Sequence, residues 1–250
     1  MPTLPSVSLQ LYSVRDALEE DAQATIDRVA AIGYTQVEAS YRTLLASPRL
    51  APAIRSAGLT SPSMTGTLVR ADRGPVFATA NELGAHVVID TLVREEHWTT
   101  AGDIARTADE LNVAASEAAA HGLTVGYHNH WWEFGHSFGG RTGFDVLVDA
   151  LDPAVALEVD AYWAAVGGQD VVPYLAMLGD RIRFLHVKDG PLTRDNKQQQ
   201  PVGRGSLPIW DILAVLPGLE IGVVEFDDYA GDMFDAIAAS LAYLSAGSPE

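Results

Sequence analysis

Between residues 124 and 134 the chain reads Thr-Val-Gly-Tyr-His-Asn-His-Trp-Trp-Glu-Phe, an apolar run that turns into a dense set of proton-transferring groups, His128, His130 and Glu133. Three later apolar runs end in the same manner: Glu158-Val159-Asp160, His186-Val187-Lys188-Asp189 and Val223-Val224-Glu225. Buried carboxylates and imidazoles are costly unless they are paired or bind a metal, so four successive runs ending this way call for a common cause. A divalent cation supplies one. A set of Glu, Asp, His and Glu is mostly oxygen with one nitrogen, which suits Mn²⁺, Mg²⁺ or Co²⁺ and admits Zn²⁺. Each residue also has a plainer reading. Glu225 with Asp227 and Asp228 can form a solvated turn, Asp160 can cap a helix starting at Ala161, and His186 can be a core histidine with its hydrogen bonds made.

The elements that would carry these residues follow from a repeated phrase. An Ala/Leu-rich helical segment, a glycine and a short apolar run recur at Gly33, Gly58, Gly84, Gly122, Gly179 and Gly218. Each glycine is placed to take the left-handed conformation that closes a helix before a strand. Strands are expected at about 7–12, 36–39, 59–64, 86–90, 124–128, 156–160, 182–188 and 221–225, several of them continuous in apolar character, as in parallel strands buried on both faces. Between them, Ile26, Val29, Ala30 and Ile32 share one helical face, and Ile104, Ala108, Leu111 and Ala115 another. Eight βα units in 250 residues predict an α/β fold, a single (β/α)8 TIM barrel occupying residues 1–250 as one domain. The alternative, a doubly wound open sheet, lacks its Gly-rich phosphate loop after the first strand, where Tyr12-Ser13-Val14-Arg15-Asp16 stands. The long polar stretch from Gly190 to Gly205 follows the seventh strand and is expected on the catalytic face, as a lid or an oligomer contact.

Composition narrows the function classes. With 16 Lys+Arg against 33 Asp+Glu the formal net charge is −17, which works against nucleic acid and anionic membranes as partners. The absence of Cys excludes disulfides, thiolate metal sites and cysteine nucleophiles. Neither a leader-like N-terminus nor a membrane-length apolar run is visible, so the expectation is a soluble, cytoplasmic protein.

The phrases Leu9-Gln10-Leu11-Tyr12-Ser13-Val14-Arg15, Tyr127-His128-Asn129-His130-Trp131-Trp132-Glu133-Phe134, Leu157-Glu158-Val159-Asp160-Ala161-Tyr162-Trp163, Leu185-His186-Val187-Lys188-Asp189 and Val224-Glu225 resemble the sugar phosphate isomerase/epimerase family, a xylose-isomerase-like TIM-barrel group related to inosose dehydratases, ketose 3-epimerases and endonuclease IV. The resemblance runs nearly end to end. It implies one divalent metal (Mn, Mg or Co, with Zn possible) held by Glu133, Asp160, His186 and Glu225. Many relatives place a Glu at the very end of the fifth strand, where this chain has His128-Asn129-His130, so His128 or His130 is the fallback first ligand. Where relatives read Gly-Glu-Gly, this chain has Gly203-Arg204-Gly205.

The chemistry such a site favours is proton removal next to a carbonyl, giving an enediolate and hence an isomerase or epimerase of a sugar, sugar phosphate, keto-sugar or inosose. Loss of a β-hydroxyl or glycosyl group instead gives a dehydratase or lyase. His130, His128 and Glu158 are candidate bases, with Lys188 polarising the carbonyl. Tyr12, Trp131 and Trp163 are candidates to stack on the sugar, and Arg204 to hold an anionic or keto group. The partner is then a small-molecule sugar, with a homo-oligomer possible. Two other classes stand beside this one: phosphodiester hydrolysis, which the negative charge opposes, and a non-catalytic sugar-binding or assembly subunit.

Overall fold

The computed structural model describes Leu4 and residues 6–248; the other six residues, which the expected domain of residues 1–250 takes in, lie outside them. Eight parallel strands close into a barrel: β1 Val7–Gln10, β2 Gln36–Ser40, β3 Ser63–Thr65, β4 Val87–Asp90, β5 Thr124–His128, β6 Ala156–Asp160, β7 Ile182–Val187 and β8 Ile221–Val224. Each pairs with its neighbour in the chain, and β8 pairs back onto β1 with Val7 opposite Gly222 and Leu9 opposite Val224. β5 and β6 match their expected limits. β3 is shorter, because Pro62 has no N–H to give the ladder; before it only Thr60 bridges to Gln36. β1 stops at Gln10, whose side-chain oxygen accepts from Tyr12 N at 3.2 Å and opens a 3-10 turn over Leu11–Val14. Of the six repeated glycines, five take positive φ, from 56° at Gly179 to 115° at Gly33. Gly218 does not, and lies instead against Asp180.

Strand alternation sorts the side chains. Outward-facing residues such as Val125, Tyr127, Leu157, Val159, Leu185 and Val224 join the main core beneath the helices, including the faces of Ala22–Ile32 and Ala101–Ala119, where Ile26, Val29, Ile104, Ala108 and Leu111 are buried. Inward-facing residues Val87, Ile89, Ala156, Phe184, Ile221 and Val223 form a separate apolar plug inside the barrel. Two residues further along the same inward faces, Ala156 gives way to Glu158, Phe184 to His186 and Val223 to Glu225. The plug is thus a dry floor, and the polar layer begins directly above it, toward the carboxyl ends of the strands.

Candidate metal centre

The polar layer is assembled from strands on both sides of the barrel. His128 at the end of β5, Asp160 at the end of β6, His186 on β7 and Glu225 just past β8 are all buried, and each offers one ligand atom within 4.8 Å of the other three. Glu38 on β2, Glu158 and His186 form a second, deeper group. The His186 ring links the two: Nδ1 lies 2.7 Å from Glu225 Oε2, while Nε2 lies 3.1 Å from Glu158 Oε2 and 3.4 Å from Glu38 Oε1. Glu38 is held in turn by Gln10 Nε2, which donates to its Oε1 at 2.7 Å, and by the hydroxyl of Ser63. Lys188 directs its ammonium at three carboxylates, with Asp160 Oδ2 at 2.9 Å and Glu225 Oε2 and Asp227 Oδ2 both at 2.7 Å.

Burial and mutual charge shift these groups strongly. Burial, reinforced by the negative charge of Glu38, pushes the Glu158 carboxyl up to about 8. Burial opposes a charge on His186, but Glu158 and Glu225 overcome it and hold the imidazole well above its usual range. His128 goes the other way: burial and the neighbouring His186 keep it far below, so it is a neutral imidazole. Burial also works against ionised Glu225, and is outweighed by Lys188 and His186. Burial raises Asp160 in spite of the nearby Lys188 ammonium.

The donor set fits a divalent cation. Two imidazoles and two carboxylates suit a borderline ion, with Mn²⁺, Co²⁺ and Zn²⁺ favoured over Mg²⁺ by the second nitrogen. Among the described residues Glu158 Oε1 has no partner at all, while Asp160 Oδ2 is met by Lys188 Nζ and Glu158 Oε2 by the rings of His186 and His128. A buried polar atom without a partner is rare in folded chains, and Glu158 Oε1 is one such atom beside the centre. Asp160 also caps a helix, as its plainer reading had it: Oδ1 accepts from Trp163 N at 2.8 Å. The cap uses one oxygen and leaves the other facing the centre.

Glu133, expected as the first ligand, requires a correction. Its Oε1 accepts from the Tyr127 hydroxyl at 2.8 Å and its Oε2 from His130 N at 2.9 Å. Tyr127 points away from the barrel axis, against Trp98 and Phe144, so a carboxylate bound to it lies in the outer layer. His128, one residue on, points inward and stands where the fourth ligand is needed. His130 is partly buried, stacked on Trp132 with ring centroids 4.1 Å apart, and its Nδ1 has no hydrogen-bond partner.

A cavity of about 370 Å³ opens above the centre. His128, His130, His186, Glu225 and Asp227 form one wall, and hydroxyl-bearing residues of the first four strand ends, including Tyr12, Tyr41, Thr67 and Thr91, form the other. Tyr12 is 49% exposed at the mouth. Trp131 does not line this cavity, and its ring carries the Arg194 guanidinium at 3.4 Å. Trp163 is buried behind Lys188, with the ammonium 5.5 Å from its ring. Arg204 is exposed on a separate outer cavity of about 620 Å³ beside Tyr229, so it is not brought to the centre.

Sequence reasoning missed Glu38, Gln199 and Asp227. A glutamate in the middle of Gln36-Val37-Glu38-Ala39-Ser40 is the same costly signal that singled out the later strands. Gln199 comes from the long loop after β7: its Nε2 donates to Asp227 Oδ2 at 2.7 Å, and its Oε1 accepts from Asp227 N at 2.8 Å.

Comparisons with known proteins agree with this architecture. Similar solved structures include a sugar phosphate isomerase/epimerase from Parabacteroides distasonis (22% identity, 97% of this chain and 98% of that one, TM-score 0.79). Others are an IolI protein with a bound zinc atom (14%, 95% of both chains, TM-score 0.72) and a D-psicose 3-epimerase solved with D-fructose (13%, 95% and 97%, TM-score 0.67). No curated protein matches the chain. At these identities the likeness is one of fold. A family model does match residues 75–237, from the helix before β4 to the helix after β8, and so takes in all four residues of the upper group. By that match the chain belongs to the xylose isomerase-like TIM barrel family.

Proposed function

We propose that this protein is a divalent-metal-dependent isomerase or epimerase of a sugar or sugar derivative, working by proton transfer at a carbon next to a carbonyl. The observation that carries the reading is the buried group His128, Asp160, His186 and Glu225 at the floor of a hydroxyl-walled cavity. The sugar phosphate isomerase/epimerase and psicose epimerase of like fold support it, and the zinc-containing IolI protein supports a metal.

A divalent ion held by these four residues would supply Lewis acidity toward adjacent oxygens of a substrate. The chain's own groups do the rest. Glu158 and Glu38 face His186 Nε2 and so fix the ring with Nδ1 toward the centre, the carboxylate support commonly seen behind a ligating histidine. Lys188 keeps Asp160, Glu225 and Asp227 from repelling one another, each carboxylate taking one of its three ammonium donors. The base that lines the cavity is His130, whose ring is held between its stack on Trp132 and Glu133, with Nδ1 3.8 Å from Glu133 Oε1. Glu158, behind His186, does not line it. Proton return to the neighbouring carbon gives an isomerase, and return to the opposite face an epimerase.

Mn²⁺ titration calorimetry on the purified protein tests the centre. His128→Ala and Glu225→Gln should each weaken uptake by about tenfold or more, whereas Glu133→Gln should retain it. With metal retained, His130→Ala should slow solvent-deuterium incorporation into a ketose panel by about 10²–10⁴-fold. Absence of Mn²⁺ uptake, or loss of uptake in Glu133→Gln as deep as in Glu225→Gln, counts against the reading.

A further inference from the structure

The cavity above the proposed centre has two chemically different walls. The side chains contributed by β5 to β8 are imidazoles and carboxylates, while those contributed by β1 to β4 are mostly hydroxyls, with an amide, Leu92 and one guanidinium, Arg42. Among the described residues, Arg42 is the one permanent cation in the lining. Its place is fixed by the chain: β2 ends at Ser40, whose hydroxyl accepts from Thr43 N at 3.0 Å and starts the helix Tyr41–Ala46 directly at the rim. Glu38, Ser40 and Arg42 therefore climb one side of the barrel from the polar layer to the mouth.

Arg42 makes no hydrogen bond, ion pair or ring contact among the described residues. In a chain with 33 acidic residues, Arg70, Arg73 and Arg183 each reach a glutamate, Arg15 and Arg194 each cover an aromatic ring, and the other arginines without such a contact, Arg49, Arg55, Arg94 and Arg204, lie outside this cavity. A fork of five donors left open on a cavity wall of hydroxyls offers bidentate recognition to a planar anion. Among the described residues no second Lys or Arg lines the cavity beside Arg42 to share the charge of a phosphate dianion, and Glu225 and Asp227 stand on the facing wall. We infer that Arg42 is a specificity-determining residue that binds a carboxylate, so the substrate is a polyhydroxylated acid, such as a hexuronate or keto-acid sugar, rather than a neutral sugar. This rests on the reading of the cavity as a sugar site.

The test compares D-glucuronate, D-glucose and D-glucose 6-phosphate as calorimetric probes of the Mn²⁺-loaded protein. D-Glucuronate should bind about tenfold or more tightly than D-glucose, the worth of a charge-assisted bidentate pair. Arg42→Met should abolish that difference without changing D-glucose binding, and Arg42→Lys, which keeps the charge but loses the fork, should restore only part of it. The inference is overturned if glucuronate shows no saturable binding, if its preference persists in Arg42→Met, or if glucose 6-phosphate is the anion that depends most on Arg42. Mn²⁺ uptake measured without sugar separates the two readings. An Arg42-dependent glucuronate preference in a protein that takes up no Mn²⁺ removes the metal centre and leaves this inference standing, and normal Mn²⁺ uptake with no such preference does the reverse.

Discussion

Glu158 is fully enclosed, has one oxygen without a partner among the described residues and the other facing His186 and His128, and sits beside a second glutamate. Its carboxyl, raised from 4.5 to about 8 by burial and by Glu38, makes a definite statement about the metal-free protein. Between those two values the native chain holds a proton that the unfolded chain has released, so native stability falls as pH rises through the window. Replacing it by the neutral Glu158→Gln should flatten this slope, gaining up to about 4 kcal/mol at the alkaline end relative to the acid end. Urea unfolding of parent and variant at both ends of the window, with chelator present, checks it; equal slopes would mean that Glu158 is ionised throughout. At this scale the sequence was legible where a charge closes an apolar run, as at Asp160 and His186. It misled at Glu133, because the spacing from His130 says nothing about which side of β5 the returning turn will reach. The alternation of Tyr127 outward and His128 inward decides that, and it sends the carboxylate to the tyrosine.

Asp189, just past β7, organises the long loop that follows. Its two oxygens accept from the backbone N–H groups of Gly190, Gly203 and Gly205 at 2.9 Å and of Leu207 at 3.1 Å. A Cβ at Gly205 would fall on the Asp189 carboxylate, and one at Gly203 on the ring of Tyr243. The Gly203-Arg204-Gly205 phrase is therefore set by the backbone's approach to Asp189, and its central side chain points elsewhere. Asp189→Ala strands four donors and should cost about 2–4 kcal/mol. Hydrogen exchange should rise across residues 190–207 while the strands stay protected. Faster exchange spread evenly over the barrel would show that Asp189 supports the whole fold instead. The loop was expected as a lid or oligomer contact because a long polar stretch after the seventh strand falls on the catalytic face of a barrel. What orders it is a single acceptor at one end and the pairing of Gln199 with Asp227 at the other, neither of which has a signature in local composition. The strands, by contrast, were legible from apolar runs bounded by glycine, and departed by more than one residue only where Pro62 delayed a ladder or the Gln10 side chain ended one early.

The whole molecule carries a formal charge of −17, and the proposed centre lies at the base of an open cavity on that body. Such a field concentrates cations near the protein and is screened by salt. Mn²⁺ affinity should accordingly fall by about threefold or more between roughly 0.05 and 0.5 M KCl. Calorimetry across that range checks it, and an affinity indifferent to salt would assign the binding to the local ligands alone.

Closure of the barrel sets a schedule for its synthesis. β1 is made first, yet its pairing with β8 waits until residues 221–224 have been added, roughly 10–40 s later at ordinary translation rates of about 5–20 residues per second. Through that interval the growing chain exposes an unpaired margin on β1 and a second, advancing one on the newest strand, both competent to pair with other chains. The yield of this protein in a cell is therefore set by translation speed and chaperone capacity as well as by the stability of the finished barrel.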